Sequence, residues 1–323
     1  MRNARFSRTS LTKQAFVFTS LFAVSGLTVS EETETPSWDV SAPNYSAEVQ
    51  EIDLNVTEGT WMNLDVSPDG KHIAFDLLGD IYQIPITGGE ATPLLSGHAW
   101  EVQPQYSPDG RFLAFTSDRN GADNIWVMDL ANPDNKHQIT HESFRLLNNP
   151  SWHPSGDYLV AKKHFTTSRS LGTGEVWLYD ANVDQALTRG NLQGSVLVKR
   201  PSPAFQKELG EPTFSADGES VFYIQNTTPG NTFIYHEDSN GEVMAIKRYD
   251  LETGEIEKVV GGAGGAVRPT PSPDGKTLAF VKRVRAASRL FVMDLASGKQ
   301  TMLVDDLDPD MQETWAVQGA YPT

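Results

Sequence analysis

From about residue 60 to residue 305 the chain is written in short runs in which apolar and polar residues alternate. One series reads "KHIAFDLL", "RFLAFTSD", "DYLVAKKH", "ESVFYIQN" and "KTLAFVKR". A second reads "DIYQIPITGGEATPLL", "NIWVMDLANPDNKHQIT", "EVWLYDANVDQALT", "MAIKRYDLETGEIEKVV" and "RLFVMDLASGKQTMLV", each a strand, a polar turn and another strand. A period of two predicts half-buried β-strands. Beyond the N-terminal apolar run, no apolar stripe of helical period has useful length, so the pattern predicts an all-β chain.

The strands are punctuated by one turn written five times. "SPDG" stands at Ser67–Gly70, Ser107–Gly110 and Ser272–Gly275, with "HPSG" at His153–Gly156 and "SADG" at Ser215–Gly218. Pro68, Pro108 and Pro273 preset φ near −65° at the second position. Asp69, Asp109, Asp217 and Asp274 accept bonds from nearby backbone N–H groups, and Gly70, Gly110, Gly218 and Gly275 take the left-handed conformation that closes the hairpin. In the last four copies a proline stands three residues before the Ser/His position. The turns are 40, 46, 62 and 57 residues apart. A four-stranded unit near 40 residues predicts a β-propeller blade, longer copies carrying loop insertions. The expectation is a propeller of four-stranded antiparallel blades, about five complete plus partial ones, with an incomplete ring. Phe75, Phe115, Trp126, Trp152, Trp177, Phe214, Phe222, Phe280 and Phe291 are then inter-blade packing. Residues 48–56 read as an outer strand of another blade, and Pro322 in "GAYPT" repeats the proline that precedes each turn, so the chain is expected to break off inside a sixth blade.

The first 30 residues change the picture of compartment. Arg2, Arg5, Arg8 and Lys13, with no acid, precede the apolar run "AFVFTSLFAVSGLTV". This is the layout of a signal peptide (1–30), with cleavage after Ser25 or Ser30. A polar linker (31–47) and the propeller (48–323) follow, and the expected location is periplasmic or secreted. Net charge is −16, and −20 once those four cations are removed. With no basic excess to pair with phosphates, nucleic acid is excluded as a partner, and so is an anionic membrane surface beyond the targeting step. The chain has no cysteine, hence no disulfide, thiolate metal site or catalytic thiol.

The turn repeat with "FTSDRNGADNIWVMD" at 115–129 resembles the TolB propeller, with the tricorn and prolyl-oligopeptidase propellers more distant. "KHFTTSRSLGTGEVWLY" and "DMQETWAVQGAYPT" resemble the N-terminal, TolB-like propeller of large secreted bacterial amidohydrolases. That resemblance covers about residues 48–323. It implies a metal-dependent hydrolase acting on C–N bonds, whose divalent metal, such as zinc, is held in a C-terminal catalytic domain beyond residue 323. It therefore carries no catalytic or metal-binding residue onto this chain, and no cofactor is expected in it. The expected partner is that catalytic domain or, on the alternative reading of a non-enzymatic TolB-like module, another protein of the cell envelope.

The residues themselves agree with this division. The seven histidines contain no His-x-His pair, and His137 and His141 lie four apart in a strand-and-turn segment, where that spacing does not bring ligands together. No G-x-S-x-G elbow exists, and "GGAGGA" at 261–266 lacks the lysine and spacing of a phosphate loop, so it reads as a flexible inter-strand loop. The four turn aspartates belong to different blades, too far apart to act as an acid–base pair. What remains is surface. Gln103, Asn149, Glu211 and Arg268, at the starts of the inner strands, are expected to face the axial channel or its rim. Insertions at about 162–174, 189–210 and 226–242 should decorate one face, where "HFTTSRS", with His164 and Arg169, and "VLVKRPSP" concentrate scarce positive charge.

Overall fold

A computed structural model describes residues 39–43, 50, 54–168, 171–182, 193–285 and 287–307. The expected signal peptide, most of the expected linker, Arg169 and the segment carrying Pro322 lie outside the described residues. So does most of the strand expected over 48–56, whose described part, residues 50 and 54–56, is irregular.

Among the described residues twenty strands form five sheets, each an antiparallel meander of four. Blade 1 is β1 (Leu64–Val66), β2 (His72–Leu77), β3 (Asp80–Pro85) and β4 (Thr92–Leu95). Blade 2 is β5 (Glu101–Tyr106), β6 (Phe112–Ser117), β7 (Asn124–Asp129) and β8 (Asn132–Gln138). Blade 3 is β9 (Leu147–Trp152), β10 (Tyr158–Thr166), β11 (Gly172–Asp180) and β12 (Ser195–Val198). Blade 4 is β13 (Leu209–Phe214), β14 (Ser220–Asn226), β15 (Met244–Asp250) and β16 (Ile256–Val260). Blade 5 is β17 (Val267–Pro271), β18 (Thr277–Val284), β19 (Ala287–Asp294) and β20 (Gln300–Val304). The described residues contain no helix. The first strand of each blade contacts the first strand of the next, or the sheet behind it, so these five are the inner strands of a propeller.

One blade cannot bury its own faces, and the core is accordingly divided among the interfaces between blades. Four buried clusters correspond to the four successive interfaces. Ala74, Ile81 and Leu95 meet Leu113, Phe115, Trp126 and Met128 between blades 1 and 2. Ala114, Ile125 and Val127 meet Trp152, Leu159 and Tyr179 between blades 2 and 3. Val160, Val176 and Val198 meet Leu209, Phe214 and Tyr223 next, and Phe222 and Ile224 meet Leu278, Phe280 and Met293 last. Of the nine predicted packing aromatics, Phe115, Trp126, Trp152, Phe214, Phe222 and Phe280 are buried. Phe75, Trp177 and Phe291 are half-buried.

The turn is built in the same way in four of the five blades. In blade 2 the Ser107 Oγ donates to Asp109 Oδ1 (2.6 Å) and accepts the Phe112 N–H (2.8 Å), while Asp109 also accepts the Arg111 N–H (3.0 Å). Ser67–Asp69, Ser215–Asp217 and Ser272–Asp274 repeat the arrangement. These hydrogen bonds, the serine's foremost, hold all four aspartates below the usual carboxylate range, Asp69 at about 2. In blade 3, His153 replaces the serine. Its Nδ1 receives the Ser155 N–H (3.0 Å), and its Nε2 lies 3.2 Å from the Gly218 carbonyl of the next blade.

The proline ahead of the turn has a cause that only pairing reveals. In β5, β9, β13 and β17 the residues Gln103–Pro104, Asn149–Pro150, Glu211–Pro212 and Arg268–Pro269 stand opposite single residues of the neighbouring strand. Each is a β-bulge, where a proline costs no ladder hydrogen bond. The residue before the proline has φ of 61°, 53°, 50° and 59° in turn. Blade 1 has Leu64 at the proline position, pairs without a shift, and shows no such φ at Asn63.

The "GGAGGA" segment differs from the flexible loop expected. Gly264 donates to the Asn240 carbonyl (2.8 Å) and accepts the Arg283 N–H (3.1 Å) at φ +82°. A Cβ there would lie 1.8 Å from the Arg283 carbonyl oxygen, so close backbone approach, rather than mobility, accounts for the glycine.

Candidate functional site

Antiparallel order puts the five S-P-D-G-type turns at one end of the blades and the inner-strand starts, with the second hairpin of each blade, at the other. The latter end is the rim. It carries Gln103, Asn149, Glu211, Arg268 and His164. The insertions over 199–208 and 227–243 lie there too, whereas the described part of the β11–β12 connection lies at the turn end.

At three of the four bulges the N–H of the positive-φ residue finds its acceptor in the preceding blade. Asp76 Oδ2 accepts the Gln103 N–H (2.7 Å) and the Asn63 Nδ2 (2.7 Å), and its Oδ1 accepts the Asn63 N–H (2.9 Å). Gln103 Oε1 accepts the Asn149 N–H (2.7 Å) and the Thr116 hydroxyl (3.0 Å). Glu211 Oε2 accepts the Arg268 N–H (2.8 Å), and its Oε1 lies 3.1 Å from the Arg268 guanidinium. These side chains stitch one inner strand to the next. Burial raises the Asp76 pKa against the lowering effect of the N–H groups it accepts. Nearer the turns, Asp65 accepts the Tyr106 N–H across the same interface (2.8 Å), and burial lifts its pKa to about 6.

At the rim of blade 3 the strand ends gather cations and aromatic rings. The guanidinium carbons of Arg145 and Arg200 lie 4.1 and 4.0 Å from the centroid of the Phe165 ring. Phe165 stacks on Trp177 at 6.4 Å, and Lys163 Nζ lies 4.3 Å from the Trp177 ring. Glu175 pairs with Arg200 at 3.2 Å, and Glu142 pairs with Lys163. On the other face of the sheet Lys162 pairs with Glu208 at 2.5 Å. His164, half-buried beside them, has its pKa lowered by desolvation and by Lys162. Register places Arg145 next to Phe165, because the His164 N–H donates to the Leu146 carbonyl (2.8 Å) one step away. The sequence reading pointed to His164 and to the segment of Arg200; it missed Arg145, Phe165 and Trp177 as one cluster.

The rim also exposes large apolar side chains. Leu78 is 69% exposed and Trp100 56%. Leu78 and Gly79 form the two-residue β2–β3 turn with φ of 56° and 87°, a conformation that favours Asn-Gly and penalises leucine. A Cβ on Gly79 would lie 2.6 Å from the Trp100 ring, which covers that turn. Trp61, also at positive φ, is exposed on the strand leading into β1. Among the described residues no group of three His, Asp or Glu side chains is arranged to hold a metal ion, and no helix is long and apolar enough to cross a membrane.

Residues 50–204 match the TolB beta propeller domain family. An uncharacterized protein of Agrobacterium fabrum is 30% identical over 168 residues, 49% of this chain and 53% of its own. Dipeptidyl aminopeptidase BIII of Pseudoxanthomonas mexicana is 26% identical over 259 residues, 70% of this chain and 36% of its own. The chain thus spans about half the length of the first of these curated relatives and about a third of the second. The solved structure of a putative TolB from Agrobacterium tumefaciens superposes with a TM-score of 0.56 at 18% identity, covering 75% of this chain and 80% of that one. Blade construction, turn chemistry and family match agree: the chain carries a TolB-type β-propeller.

Proposed function

We propose that this propeller is the N-terminal accessory domain of a secreted or periplasmic amidohydrolase-like enzyme. It packs by its rim on a metal-dependent catalytic domain outside these residues and screens access to it. The observation that carries this reading is the rim itself. It exposes the large apolar side chains Trp61, Leu78 and Trp100, two of them at positive φ, whereas four of the five turns use up their polar side chains locally. Support comes from the relatives' lengths, since dipeptidyl aminopeptidase BIII is a much longer protein than the part this chain matches. The chemistry belongs to the partner domain, where a divalent metal such as zinc would activate water.

The test is amide hydrolysis and metal content of the 323-residue chain beside those of a longer product containing the sequence that follows it in the gene. The expected result is activity and stoichiometric metal in the longer product alone. Zinc-dependent amidase activity in the 323-residue chain would overturn the reading. The exposed aromatics also suit a non-enzymatic envelope-protein interaction module. An inactive, metal-free longer product that captures an envelope lipoprotein would establish that alternative instead.

A further inference from the structure

We propose that the blade 3 rim binds an acidic, apolar peptide segment, with a ligand carboxylate seated on Arg145 and apolar side chains on Phe144, Leu146 and Leu171. Phe165 has two guanidiniums against its ring and only one of them has an anion. Arg200 is answered by Glu175, whereas Arg145 has no hydrogen bond or ion pair among the described residues. The Arg200–Glu175 pair is an internal template for what Arg145 lacks, a carboxylate on a guanidinium already held against the ring. Stacking removes rotamer freedom in advance, so the Arg145 fork meets a carboxylate with little further ordering.

The surroundings decide what kind of anion fits. Phe144 is 76% exposed, Leu146 46% and Leu171 38%, all at the same strand ends. A simple inorganic anion would leave them in water, and a segment alternating acidic with apolar residues would cover them. Charge acts in the same direction. On a chain of net charge −16, an acidic ligand is repelled from most of the surface. At this rim Glu208, Glu142 and Glu175 answer Lys162, Lys163 and Arg200 but leave the Arg145 charge to the ligand.

The probe is a fluorescein-labelled peptide of alternating Glu and Leu, titrated with the full 323-residue chain at low salt and followed by anisotropy. The account expects saturable binding, weakened about tenfold by Arg145→Gln and about threefold by Phe144→Ser, with the thermal midpoint held. Arg145→Lys, which keeps charge without the fork, should fall between wild type and Arg145→Gln. A peptide of alternating Lys and Leu should not bind, and millimolar inorganic phosphate should not displace the acidic one. Wild-type affinity in both Arg145 variants, equal binding of the basic peptide, full displacement by phosphate, or no binding of the acidic peptide would each overturn the proposal. None of these outcomes depends on a catalytic domain.

Discussion

The two ends of the blades are made of similar residue types and do opposite things with them. In the four serine turns each polar side chain of the repeat is consumed within a few residues: serine bonds to aspartate, and both bond to the next backbone N–H groups. At the rim, polar groups reach across to the next blade, several large apolar side chains are exposed, and Arg145 has no anion among the described residues. Strained or exposed residues of this kind are what the proposed docking role of the rim rests on. The turn end sets the shape of a blade; the rim sets how neighbouring blades are stitched together.

The largest effect is expected at Glu211. Glu211→Ala removes the acceptor of the Arg268 N–H and the carboxylate beside a largely buried guanidinium, and should cost about 3 kcal/mol in denaturant unfolding. Glu211→Gln, which keeps an acceptor, should cost less. Equal losses would show that the stitch is only packing.

Asp65 comes next, through pH. Its folded pKa of about 6 lies above the ordinary aspartate value of 3.8, so the folded state holds the proton more tightly. The stability this contributes is present below about pH 4 and is lost as pH rises to about 6. The exposed turn aspartates run the other way: their lowered values give stability that is present above pH 4 and lost as pH falls towards 2. Asp65→Asn keeps an acceptor for the Tyr106 N–H and should be the more stable protein above pH 6, by about 2 kcal/mol, with the advantage gone near pH 4. A pH-independent difference between the two proteins would contradict this.

Gln103 should follow. Gln103→Ala strands the Asn149 N–H and the Thr116 hydroxyl and should cost about 1–2 kcal/mol, whereas Gln103→Glu retains the acceptor and most of the stability. Thermal melts of the pair separate a hydrogen-bonding role from a purely steric one.

The sequence made the turn end legible because its interactions are local. Ser107, Asp109 and Phe112 lie within six residues, so a four-residue motif carries their chemistry, and the five copies count the blades. The rim was legible only in outline. The prolines at 104, 150, 212 and 269 are visible in the repeat, yet their reason is a bulge whose freed N–H finds its acceptor one blade away, as with Gln103 and Asn149. No local pattern encodes that partner. Phe165 is likewise flanked by Arg145 and Arg200, which come from different strands and become neighbours only once the blade is paired. The glycines at 261–266 mislead for a similar reason, since Arg283 and Asn240, which demand them, are distant in the chain.

The contrast between the two ends is tested most directly at Leu78, where the rim spends stability on an exposed leucine at positive φ. Leu78→Asn writes the Asn-Gly pair that this two-residue turn prefers. Equilibrium denaturant unfolding of that single variant should show a gain of about 1 kcal/mol over the natural chain. A loss of stability would mean that Leu78 is part of the propeller's own packing, and that the rim is no more reserved for a partner than the turns are.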